Sequence, residues 1–150
     1  MHLLIPMAAN LLLGVILVAL FVARRRVDDA HLADADAALR VFRVQFPDAD
    51  GIATVTADQR GALIALSHGA GVGLLQRRGR RWTARRIRAG DVRAVGATGD
   101  DTLRLALADF GWPRAEFRIA DATARTAWLA RLESLAARRA GRPAPESTHA

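Results

Sequence analysis

Seven arginines crowd residues 77–88: Arg77, Arg78, Arg80, Arg81, Arg85, Arg86 and Arg88, with Trp82 among them and no acid between. Planar guanidinium groups hold phosphate and carboxylate oxygens bidentately. Each basic residue near an anionic leaflet contributes ~1 kcal/mol. Trp82 is an amphipathic ring of the kind that settles at headgroup level. The cluster therefore reads as a surface for anionic lipid or for an acidic, membrane-associated protein. The competing reading is a solvated hairpin whose Trp82 covers a core edge. All 22 basic residues are Arg; a GC-rich coding sequence produces the same bias, so position rather than identity carries the argument. No helix-turn-helix, zinc finger or aromatic-rich RNA-binding motif accompanies the charge, which sets nucleic acid aside as a partner. A second candidate is Trp112, in the turn Gly111-Trp112-Pro113. Exposed there it would be a partner-binding knob; folded back it would belong to the core.

Other chemistry finds little support. The chain has no Cys, which excludes disulfides, thiolate nucleophiles and Cys-ligated metal sites. His2, His31, His68 and His149 are scattered without metal-ligand spacing. Ser67 and His68 are adjacent, and neighbours on an extended chain point to opposite faces. Gly69, Gly71 and Gly73 resemble part of a phosphate loop, yet no Lys follows and the next residues are strand-like rather than the start of a helix. Asp109 reads as a turn residue or as an ion-pair partner of Arg114. No catalytic residue, metal or cofactor is expected, and the chain reads as non-enzymatic, with an enzyme of unknown type as the least supported alternative.

These groups must be positioned by elements whose first member is a membrane anchor. Leu3–Ala23 is 21 residues without a formal charge. As a helix it would be about 31 Å long, matching a hydrocarbon core of ~30 Å. Leu3, Leu11, Leu12, Leu13, Val15, Ile16, Leu17 and Phe21 supply its bulk, and Arg24, Arg25 and Arg26 stop it. A cleaved signal peptide would have a basic n-region, a shorter apolar core and a small-residue cleavage site; here the N-terminus has only its amino group and His2, the apolar run is long, and its flank of three arginines is a poor cleavage context. The three arginines place that flank in the cytoplasm and the short N-terminus outside.

Charge then segregates. Residues 27–50 hold six acids and two arginines; residues 51–140 hold sixteen arginines and eight acids. The spacing predicts a helix over 29–45, capped by Asp28 or Asp29, with Leu32, Ala35, Leu39 and Phe42 at helical intervals. It either folds back on the following domain or spaces that domain from the bilayer. From Gly51 short apolar runs alternate with turn residues, an antiparallel pattern. The expected strands are 52–56, 62–66, 72–77, 81–87, 92–97, 102–108 and 114–119, of which 62–66 also suits a short helix. Asp121 caps a final helix running to about Arg139, with Trp128, Leu129, Leu132, Leu135 and Ala136 on one face. The expected division is a transmembrane anchor with basic stop over 1–26, an acidic helical stalk over 27–50, a β domain with C-terminal helix over 51–140, and a disordered tail over 141–150.

Seven short antiparallel strands closed by one amphipathic helix, with Trp128 on its inner face, resemble the pleckstrin-homology-like fold across residues 51–139. The whole layout resembles small single-pass bacterial membrane proteins that carry such a domain in the cytoplasm. The resemblance implies an α+β fold in which the helix plugs the open end of a bent sheet. In the family's lipid-binding members the basic residues lie on the first strand pair and its loop, where this chain offers only Arg60. The expected function is a binding or scaffold protein of the inner membrane, held by its N-terminal helix, with anionic-lipid docking through the Arg77–Arg88 hairpin as the alternative.

Overall fold

The computed structural model describes residues 31–140. They form an α+β domain of seven antiparallel strands in two sheets, with a helix at each end of the described chain. Helix α1 is Ala35–Arg43. Strands β1 (Gly51–Val55), β2 (Gly61–Leu66), β3 (Val72–Arg78) and β4 (Arg81–Ile87) make the first sheet in sequence order; β5 (Val92–Thr98), β6 (Thr102–Leu107) and β7 (Arg114–Arg118) make the second. Helix α2 is Ala122–Ala140.

Side-chain alternation divides the first sheet between two cores. From one face Leu63, Val72, Leu74 and Ile87 meet Leu103, Leu105, Leu107, Ala115 and Phe117 of the second sheet, and Trp128, Leu132 and Leu135 of α2 close that core. The Trp128 indole N–H donates to the Thr54 hydroxyl at 2.9 Å, which fixes the helix against β1. From the other face Ala53, Ala62, Ile64, Leu66, Leu75, Trp82 and Ala84 meet Leu32, Ala38 and Phe42 of the α1 segment. Both faces of β2 are therefore covered. A strand buried on both sides loses its polar alternation, which is why 61–66 also suited a helix by sequence; it is a strand.

The acidic segment folds back. Helix α1 begins six residues later than the expected start at 29, capped by Asp34, whose Oδ1 accepts the Ala37 N–H at 2.7 Å. Leu32 is not helical: it is buried, and its N–H donates to the Gln59 carbonyl in the β1–β2 turn at 3.0 Å. Phe42 reaches the far end of the sheet, where Gly73 makes room for it. A Cβ on Gly73 would lie 2.8 Å from the Phe42 ring. Phe46 stacks on Phe42 with centroids 4.9 Å apart.

Among the described residues no helix is long and apolar enough to cross a membrane. The anchor expected over residues 3–23, its arginine stop, the caps Asp28 and Asp29, and the 141–150 tail lie outside the described residues.

Candidate functional site

The arginine cluster does not form one surface. β3 and β4 join through a two-residue turn, Gly79–Arg80, with Gly79 at φ +64. Glycine at the first turn position suits the tight hairpin. Register then pairs Arg78 with Arg81 and Arg77 with Trp82. Along β4 alternate side chains go to opposite faces, so Trp82, Ala84 and Arg86 turn toward α1 while Arg85 and Ile87 turn toward the second sheet.

Arg85 and Arg86 are tied to acids within the domain. The Arg86 guanidinium lies over the Phe46 ring at 4.9 Å and pairs with Asp48 at 3.2 Å; its side chain is 19% exposed. That contact holds the Asp48 carboxyl below the usual carboxylate range. Arg85 Nε pairs with Asp109 Oδ2 at 2.9 Å. Arg88 lies at the other end of β4 from the turn. Trp82 is buried in the α1 core, so it is a cover for the sheet and not a ring free to enter headgroups.

What remains is a basic end. Arg77, Arg78, Arg80 and Arg81 surround the hairpin turn, and the Arg77 N–H donates to the Arg60 carbonyl at 2.8 Å, which brings Arg60 beside them. Arg80 and Arg81 have no acidic partner among the described residues. Like charges facing each other across a ladder are destabilising, so Arg78 opposite Arg81 stores repulsion that a bound anion would relieve. Arg78 is partly drawn aside: its Nη1 donates to the Gly111 carbonyl at 2.9 Å, with its guanidinium 5.9 Å from the Trp112 ring. The segment carrying Leu32 enters at this same end, bonded to Gln59 next to Arg60.

The β6–β7 loop decides between the two readings of Trp112. It is 1% exposed and packs in the inter-sheet core, so it is not a partner-binding knob. Its neighbour Phe110 is fully exposed instead. Asp109 sets this arrangement: Oδ1 accepts the N–H groups of Gly111 (2.7 Å) and Trp112 (3.3 Å) while Oδ2 holds Arg85. The expected Asp109–Arg114 pair is replaced by Asp109–Arg85. In the sequence Phe110 carries no signal of its own; the Asp-x-Gly spacing around it is what an aspartate-closed turn would show.

Arg85, and after it the Gly111 amide, lower the Asp109 carboxyl below its ordinary 3.8. The restraint is therefore complete above that ordinary value and is lost as the pH falls through the lowered one. The Gly111 amide resonance is expected to titrate below pH 3.8 in the native chain and to stay flat in Asp109→Asn. A native Gly111 resonance indifferent to acid would contradict this role.

The remaining candidates stay apart. Ser67–Gly69 is a short 3₁₀ turn, and no hydrogen bond joins Ser67 to His68. After Gly69 and Gly71 the chain enters β3, not a helix. Among the described residues no three His, Cys, Asp or Glu converge as metal ligands. The outer face of the second sheet carries an open groove of about 490 Å³ floored by Ala94, Gly96 and Ala106. Its flanking Arg104 and Glu116 are paired with each other at 2.8 Å. No family model, curated protein or solved structure matches the chain.

Proposed function

We propose that this chain is a membrane-tethered, non-enzymatic docking protein of the inner membrane. On this reading residues 3–23 anchor it, and a pleckstrin-homology-like domain faces the cytoplasm with its basic end against the anionic leaflet. Four strands, then three, then a helix with Trp128 turned inward support the fold assignment. The observation that carries the functional reading is the bond from Leu32 to Gln59, which brings the incoming chain to the end that holds Arg60, Arg77, Arg78, Arg80 and Arg81. Five residues lie between Arg26 and Leu32, six Cα steps that reach at most about 22 Å. The tether would thus keep the basic turn close to the bilayer and raise its effective concentration there.

The test uses the full chain in vesicles of neutral phosphatidylcholine, with or without anionic phosphatidylglycerol. Flotation of the chain with both vesicle types is expected from the anchor alone. Docking needs a local probe, and the Cys-free sequence permits one dye at Arg80→Cys. Its emission is expected to respond only in anionic vesicles and to revert in 1 M salt, where the screening length is about 3 Å. Arg81→Glu should weaken that response about tenfold or more. Arg85→Gln and Arg86→Gln, which remove internal ion pairs, should change it far less. Equal responses in neutral and anionic vesicles would remove the electrostatic mechanism.

A second reading is favoured by one observation: Ile52 is 77% exposed on the edge strand β1. A protein partner adding a strand there would supply main-chain hydrogen bonds and cover that side chain. Its binding would tolerate salt that abolishes leaflet docking.

A further inference from the structure

We infer that Phe110 is the residue the domain inserts into the lipid interface, an apolar wedge mounted on the basic end. The inference rests on the leaflet-docking reading above and names the depth-setting contact within it.

Three large apolar side chains are exposed among the described residues: Val44, Ile52 and Phe110. Ile52 pairs with Ala65, at the end of the first sheet away from the arginine turn, and Val44 follows Phe42, which packs on Gly73 near that same end. Of the three, only Phe110 reaches toward the basic end, its loop running along β4 from the Arg85 pair to the Gly111 carbonyl that Arg78 bonds. Arg78 bonds the carbonyl of the next residue, Gly111, at 2.9 Å. Arg85 is held by the preceding residue, Asp109. Arg93 shares with Phe110 and Pro113 a small surface hollow of about 140 Å³. The exposed loop tip thus has Arg78 and Arg93 beside it, while Arg85 is neutralised by Asp109.

Its exposure is imposed by the loop. Asp109 accepts two amides across it, Arg85 holds the other carboxylate oxygen, and Trp112 roots the far side in the core. Burying a Phe side chain is worth roughly 1.5–3 kcal/mol, and folding leaves that unused. The loop presents the ring to whatever approaches this end.

Lipid fits this presentation better than a protein groove. A stable protein interface needs about 1,000 Å² of complementary surface around its anchor. Phe110 has no apolar surround of that size: its loop neighbours are Ala108, Gly111 and Pro113, small or turn residues, and the ion-paired Asp109, with Arg78 and Arg93 beyond them. An aromatic ring with basic residues beside it is the composition that suits the headgroup–acyl boundary, where the ring goes below the phosphates and guanidinium groups bind them.

The test places one dye per molecule in the full chain, at Phe110→Cys, at Arg80→Cys or at Val44→Cys. The chains are reconstituted in vesicles containing phosphatidylglycerol, with nitroxide quenchers either at the headgroup or shallow in the acyl chain. The dye at 110 is expected to shift to the blue and to be quenched by the acyl-chain nitroxide. The dye at 80 should respond to the headgroup nitroxide alone, and the dye at 44 to neither. A response at 80 with none at 110 overturns the insertion and leaves leaflet docking standing. Silence at both positions overturns both. Equal quenching at 110 and 44 marks unspecific adsorption and overturns the insertion. As a second check, Phe110→Ser is expected to weaken the response at position 80 about fivefold, with the combined emission of the three buried tryptophans unchanged. An undiminished response at 80 overturns the insertion.

Discussion

Phe42→Ala is expected to destabilise the domain by about 3–5 kcal/mol, the usual cost of emptying a buried aromatic site. Phe42 is fully buried, its ring fills the space left by Gly73, and it carries Phe46 stacked upon it. Removing it opens a void between α1 and the first sheet and loosens the cover over Ile64, Leu75 and Trp82. A domain of this size has roughly 5–15 kcal/mol in total, so the loss is a large share. The measurement is urea unfolding of the detergent-solubilised full chain followed by far-ultraviolet circular dichroism. Were residues 32–46 only a spacer, the midpoint would hardly move. A loss below about 1 kcal/mol would show that α1 is not part of the cooperative unit. Undocking α1 would also free the segment that brings the chain to the basic end, so on the proposed docking reading the same variant should disorder the orientation at the leaflet.

The second large effect separates two aromatic residues two positions apart. Trp112→Ala is expected to cost about 3–5 kcal/mol, while Phe110→Ala should stay within about 0.5 kcal/mol of the native chain, as surface substitutions do. Trp112 is 1% exposed with Arg78 over its ring; Phe110 is fully exposed. Both variants are measured in the same urea titration. Similar losses at the two positions would mean that the β6–β7 loop does not hold Phe110 outward. If instead Trp112→Ala were neutral, the assignment of Trp112 to the inter-sheet core would fail.

Much of the β architecture was legible from local pattern. In β6 Leu103, Leu105 and Leu107 alternate with smaller or charged residues, and one face of that strand is open, so period and burial agree. Arg81–Ile87 was bounded correctly because Gly79 and Gly90 punctuate it. What the sequence left open was set by contacts between distant residues. Asp48 lies 38 residues from Arg86 and Asp109 lies 24 from Arg85, so seven adjacent arginines looked equally free. The choice between Phe110 and Trp112 hinged on which ring the turn folded inward, and a turn has no period to read. The late start of α1 has the same origin: Leu32 suits a helix by spacing, yet its N–H is claimed by Gln59.

The ion pairs have a consequence for how the domain would arrive at a surface. Asp48 and Asp109 neutralise the middle of β4, while the turn at Arg80 and Arg81 keeps its charge. On the proposed docking reading, the unpaired Arg80 and Arg81 therefore set an uneven positive charge at the end where the chain enters at Leu32. In the field of a charged plane an uneven charge distribution feels a torque, so rotational alignment begins before contact. The range of that torque follows the screening length, about 8 Å at physiological ionic strength. Concentrated salt would randomise the approach orientation while the length of the leash stays the same.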